Sequence, residues 1–216
     1  MSATKTPTSS LSESRPLTSR QRQALARREQ ILDVALRLFA KQGFSATTTK
    51  QIAQTAEIAE GLIFRYFPTK TSILEALGDR PNTVSQTVDN IFAQGQDLPT
   101  REVLTQIATL WMNLTDQDQD VISMFIGEGQ TNPDVSKTLR DIIDKAVTQL
   151  ATYLALRVET GELRSDLPCY TSAQMFFSSL ILFFINHRHT HEETTKAHAA
   201  TFIPELVDGW LRGAKA

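Results

Sequence analysis

The side chains between Thr48 and Lys70 are spaced to present a helix to a partner, not to break bonds. Ala53 is small enough for two short helices to cross closely, Ile58 plugs the three-residue turn Glu57-Ile58-Ala59, and Ile63 and Phe67, four apart, anchor the second helix. With that side turned inward, Glu60, Gly61, Leu62, Arg65 and Tyr66 face away. A short helix free on one face suits the major groove of DNA, where cationic and apolar side chains meet base edges. An ordinary helical hairpin would account for the same spacing. The other string of chemical interest is His187-x-His189-x-His191, followed by Glu192 and Glu193. On a helix His187 and His191 share a face while His189 points away, so a solvated helix end is read there and no metal site. No nucleophile–base pair and no Gly-rich phosphate loop occurs, so neither catalysis nor a cofactor is expected.

Holding these residues in place takes helices throughout. Residues 21–42 repeat apolar side chains on one face (Ile31, Ala35, Leu38, Phe39) and stop at Gly43. Thr48 is placed to cap a short helix running to about Ala56, a second spans 60–66, and Thr69 caps a fourth carrying Ile73, Leu74 and Leu77. Further helices are predicted over 83–94, 101–115, 117–130, 133–160 and 170–190, with a last one ending near Leu211 that is kinked at Pro204 or begins there. The breaks fall at Asp97-Leu98-Pro99, Asn132-Pro133 and Gly161. No strand pattern and no internal repeat is visible, so the fold class is all-α with about nine helices.

Composition narrows the partners. Net charge is −2 over 216 residues, but residues 1–80 carry 12 Lys/Arg against 7 Asp/Glu and residues 81–216 carry 10 against 17. A basic front on an acidic body directs a polyanion to the front. The one cysteine, Cys169, rules out an internal disulfide framework. Residues 1–20, rich in Ser, Thr and Pro, read as a disordered arm. No signal peptide is evident, and the longest apolar run, 175–185, is shorter than a membrane span, so a soluble cytoplasmic protein is expected.

The stretch Ile31–Leu77 resembles the N-terminal domain of the TetR (tetracycline repressor) family of helix-turn-helix regulators. The resemblance is carried by Ala35, Leu38-Phe39, Gly43-Phe44, Thr47-Thr48, Ile52-Ala53, Ala56, Gly61, Tyr66-Phe67, Lys70 and Leu74. It implies phosphate contacts from Thr48, Tyr66 and Lys70, and contacts in the groove from Lys50, Gly61, Leu62 and Arg65, with Glu60 beside them. Three positions depart from the family: Glu57 stands where a turn glycine is usual, Ala59 where a capping Ser or Thr is usual, and Phe64 where a phosphate-contacting Tyr is usual. Further on, Gly161 to Asp166 resembles the family's link before its dimerising helices.

The resemblance divides the chain into the arm 1–20, a DNA-binding domain 21–80 with its motif at 48–67, and a helical ligand-binding and dimerisation domain 81–216. It implies a four-helix bundle between two copies, to which Leu180, Phe183, Phe184, Phe202, Leu206 and Trp210 are assigned. It also implies a pocket for an apolar effector, assigned to Trp111, Met112, Met124, Phe125, Tyr153, Met175 and Phe176. The expected function is a homodimeric repressor released from a palindromic operator by a small hydrophobic ligand. The rival is a helical dimer of the same fold acting through a protein partner.

Overall fold

A computed structural model describes residues 18–79, 90–95, 98–117, 119–187, 190 and 192–215. Among them are nine helices: α1 (Ser19–Gln42), α2 (Thr49–Thr55), α3 (Glu60–Tyr66), α4 (Lys70–Gly78), α5 (Thr100–Gln117), α6 (Gln119–Glu128), α7 (Pro133–Glu159), α8 (Cys169–His187) and α9 (Glu192–Ala214). Residues 90–94 are also helical, whereas the rest of the helix predicted over 83–94 and nearly all of the predicted disordered arm lie outside the described residues. The all-α class holds, and the described residues contain no strand beyond one isolated bridge, Leu163 to Lys215. The last helix is longer than predicted. It starts at Glu192 and continues through Pro204 to Ala214.

Local chemistry sets the ends of the first four helices. Thr18, Thr48 and Thr69 each cap a helix through a capping box, closed by Gln21, Gln51 and Ser72 in turn. The α1 helix buries Ile31, Leu32, Val34, Ala35 and Phe39, while its first three turns stand exposed beyond the core. It stops at Gly43, whose φ of 87° suits glycine. A Cβ at Gly43 would also overlap the Glu128 carboxylate. The α2 helix ends in a Schellman turn, with the Ile58 N–H donating to Ala53 at 3.0 Å and the Glu57 N–H to Gln54 at 3.2 Å. Glu57 therefore occupies the left-handed position, with φ 55°.

The turn between α1 and α2 is held from two sides. Lys70 Nζ donates to the carbonyls of Phe44 (2.7 Å), Ser45 (3.3 Å) and Thr47 (2.8 Å) and sits 4.3 Å from the centre of the Phe44 ring. Burial pulls this ammonium below its usual pKa range, an effect opposed by the carboxylates of Glu128 and Asp134. From the body, Glu128 Oε2 accepts the Ser45 N–H at 2.9 Å and its hydroxyl at 2.6 Å, and Asn132 donates to that hydroxyl at 3.1 Å.

Two apolar cores result. One joins α1–α4 with Met124 and Phe125 of α6 and Val135 of α7. The other packs α5, α7, α8 and α9 around Leu104, Leu150, Leu154, Phe176, Leu180 and Val207. Arg157, with its side chain 11% exposed, ties the second core to the start of α5: it donates to the Leu98 carbonyl at 2.9 Å and to Tyr153 Oη at 3.0 Å, and lies 3.6 Å from Glu162. The link at Gly161–Asp166 is pinned to the end of α9 by the Arg164 N–H, which donates to Ala214 at 2.9 Å.

These contacts set two stability expectations. Replacing Glu57 with Gly removes a left-handed strain of about 1–2 kcal/mol, so Glu57→Gly should raise stability by about 1 kcal/mol in denaturant unfolding. Lys70→Met keeps the side chain's bulk but leaves carbonyls of the α1–α2 turn without a donor, and should cost roughly 1–3 kcal/mol in the same assay.

Candidate nucleic-acid interface

The α3 helix meets the rest of the molecule through few side chains. Ile63 is fully buried and Phe67, just past its end, is 2% exposed. Gly61 and Arg65 are exposed, Leu62 and Tyr66 half-buried, and Lys50 is exposed on neighbouring α2. The outward set read from the sequence is thus exposed or half-buried. Phe64, also on α3, is 46% exposed.

Two residues, Glu60 and Lys70, take positions that the sequence did not convey. Glu60 is held: Thr49 Oγ1 donates to its Oε1 at 2.7 Å, joining the start of α2 to the start of α3. Ala59 gives α3 no side-chain cap. The Lys70 ammonium, implied as a phosphate contact, is instead engaged by carbonyls of the α1–α2 turn. Their orientation follows from the tight path between Gly43 and Thr48, which leaves them no helix to join. Thr48 keeps an exposed position, but its hydroxyl already accepts the Gln51 N–H at 3.2 Å.

Polar contacts between the DNA-binding motif and the body run through α4 and the α1–α2 turn, beside the apolar packing of α6. Thr71 donates to Asp134 at 2.8 Å, and Lys137 pairs with Glu75 at 2.9 Å, which raises the pKa of that exposed lysine. The pocket assignment divides accordingly. Met112, Tyr153 and Phe176 are buried together in the body core, with Trp111 against it. Met124 and Phe125 belong to the other core, at the junction with the DNA-binding motif. Met175 is 63% exposed and so lines no interior. Trp111 Nε1 is buried without a hydrogen-bond partner among the described residues.

The residues assigned to the dimer interface are engaged within the protomer. Leu180, Phe183 and Phe184 are buried within the protomer, and Phe202, Leu206 and Trp210 pack against the same core, where Phe202 stacks on Phe183 at 4.5 Å. Left outside are Met175, Leu182 and Ile185, which share one face of α8. By length and composition α8 is apolar enough to cross a membrane, counter to the shorter run read from the sequence, and 39% of that stretch is buried inside the protomer. His187 Nδ1 donates to the Phe183 carbonyl at 2.9 Å, and its Nε2 faces His198 Nδ1 at 3.1 Å. His189 and His191 lie outside the described residues, and no group of three or more His, Cys, Asp or Glu able to hold a metal occurs among the described residues.

Comparison with known proteins agrees with this geometry. Residues 31–77 match the model of the bacterial regulatory proteins of the tetR family. The chain is 28% identical over 193 residues to the HTH-type transcriptional regulator YvkB of Bacillus subtilis, covering 87% of this chain and 97% of that protein. It is 26% identical over 212 residues to the HTH-type transcriptional repressor NicS of Pseudomonas putida, covering 91% and 96%. Its fold is similar to that of the regulator FadR from Bacillus subtilis in complex with stearoyl-CoA, with TM-score 0.69 and 21% identity over 84% of this chain and 98% of that one. It is also similar to a TetR-family regulator from Mesorhizobium loti, with TM-score 0.71 and 17% identity over 89% and 98%. A helix-turn-helix over residues 31–77, on a helical body of this architecture, is what the chain shares with the TetR family of bacterial transcriptional regulators.

Proposed function

We propose that the protein is a cytoplasmic homodimeric repressor that binds a palindromic operator and is released by a small, mainly apolar effector. The observation that carries this reading is α3 itself: anchored by Ile63 and Phe67, it leaves Gly61, Leu62, Arg65 and Tyr66 on the basic front of the chain. In two copies, such helices enter successive major grooves about 34 Å apart. Lys50 and Arg65 supply donors for base edges or phosphates, Tyr66 and Thr48 lie at the flanks, and Lys70 acts by holding the turn that orients α2.

Dimerisation is proposed through the outer face of α8 (Met175, Leu182, Ile185) together with α9. An apolar helix only partly covered by its own protomer supports this, since exposed apolar stripes mark interaction sites. The effector is proposed to enter the body near Trp111, Met112, Tyr153 and Phe176. The unpartnered Trp111 Nε1 offers such a ligand one polar contact in otherwise apolar walls. The stearoyl-CoA bound by FadR is an apolar-tailed ligand on the same fold, which agrees with this class. Effector binding would favour a body conformation that moves α6 and α7. Glu128, Asn132 and Asp134 would carry that shift to Ser45 and Thr71, and so change the separation of the two α3 helices.

Leu182→Asp tests the arrangement. The variant should fold, sediment as a monomer through a loss of about 2 kcal/mol or more at the interface, and lose duplex binding that the wild-type dimer shows. A variant that remains dimeric would contradict the interface. A wild-type dimer that ignores DNA would favour a protein partner instead.

A further inference from the structure

The first turns of α1 project past the core beside α3, and the two helices enclose an open trough of about 660 Å³. Its walls carry Arg20, Gln23 and Arg27 from α1 and Leu62, Arg65 and Tyr66 from α3. No carboxylate is among its described lining residues, and three guanidinium groups meet across it. The volume falls within the range of small-molecule pockets, but those are enclosed and mainly apolar. This one is open, and cationic or amide side chains dominate it.

The basic face is also organised in advance. Gln30 donates through Nε2 to the Ala56 carbonyl at the end of α2 (2.9 Å), and its Oε1 accepts from Arg27 at 2.7 Å. Arg27 is thereby fixed relative to the helix-turn-helix and not merely to its own helix. Arg20, Gln23, Arg27 and Gln30 recur at helical spacing on one side of α1. Seven residues put Arg20 and Arg27 about 10 Å apart along the axis. Arg22 lies on another side of the same exposed helix and is not among the trough's lining residues.

We infer that the α1 extension is a second DNA-backbone clamp: the trough between α1 and α3 takes the phosphate strand bordering the groove that α3 enters, with Arg20 and Arg27 neutralising its phosphates. This rests on the DNA-binding reading above and adds to it two contacts outside the helix-turn-helix. The clamp would be indifferent to sequence, since guanidinium–phosphate pairs position a protein without reading bases.

The test compares three single variants of the full chain, Arg20→Ala, Arg27→Ala and Arg22→Ala, each removing one positive charge from an exposed stretch of α1. Binding to a labelled mixed-sequence duplex is followed by fluorescence anisotropy between about 50 and 200 mM salt, where each lost phosphate contact lowers the log–log salt slope by about 0.9. Arg20→Ala and Arg27→Ala should each reduce the slope by about that amount, while Arg22→Ala leaves it near the wild-type value. Equal changes for all three would mean diffuse attraction, and unchanged slopes for Arg20→Ala and Arg27→Ala would mean an empty trough. Either result overturns the clamp while leaving DNA binding intact. Absence of salt-dependent binding by the wild type would overturn both readings.

Discussion

The turn from Gly43 to Thr48 is the constraint on which the rest of the molecule depends. A chain leaving a long helix and entering a short one within a few residues exposes carbonyls and an amide that no helix satisfies. Lys70 supplies the donors from α4, and Glu128 supplies the acceptor from α6. The first contact fixes how α2, and with it α3, is set against α1 and α4. The second fixes how that motif sits on the body. One short loop thus carries both the geometry of the DNA-facing surface and its attachment to the part that would sense a ligand. The glycine at its start is required twice, for its positive φ and for the space the Glu128 carboxylate occupies.

The body answers a different demand. The α8 helix is apolar on nearly every face, so it needs cover on more sides than α7, α5 and α9 provide. Its inner face is filled by Ala173, Phe176, Leu180, Phe183 and Phe184. A second copy of the same surface is the simplest cover for Leu182 and its neighbours, and it would bring two motifs together at a separation set by the packing of α8 and α9. Because Met124 and Phe125 belong to the core of the motif, a ligand that shifts α6 acts on that core directly, alongside any effect through α4.

The sequence conveys what is local. Thr48 and Thr69 announce helix starts, and Ala53, Ile63 and Phe67 declare the inner side of the motif, because capping and 3.6-residue periodicity depend only on near neighbours. Contacts between residues distant in the chain were not legible. Lys70 meets carbonyls 23 to 26 positions away, and Ser45 meets a carboxylate 83 positions away. The Thr49–Glu60 bond crosses from one short helix to the next, so neither residue signals the other. In α8 the reason is different. A helix apolar all round gives periodicity no direction, and buried Leu180 and Phe183 could not be told from exposed Leu182 and Ile185. The Arg20–Gln23–Arg27–Gln30 face of α1 did carry a readable period, one that an eye set on apolar repeats passes over.

The central claim is that two copies of α3 read a duplex, and selection from a random pool tests it most directly. The wild-type protein is incubated with duplexes containing a randomised central stretch, and bound molecules are amplified and sequenced over successive rounds. The account predicts enrichment of an inverted repeat whose half-site centres lie about one helical turn, or a whole multiple of it, apart. A folded, dimeric protein that enriches no sequence over the input pool would contradict it.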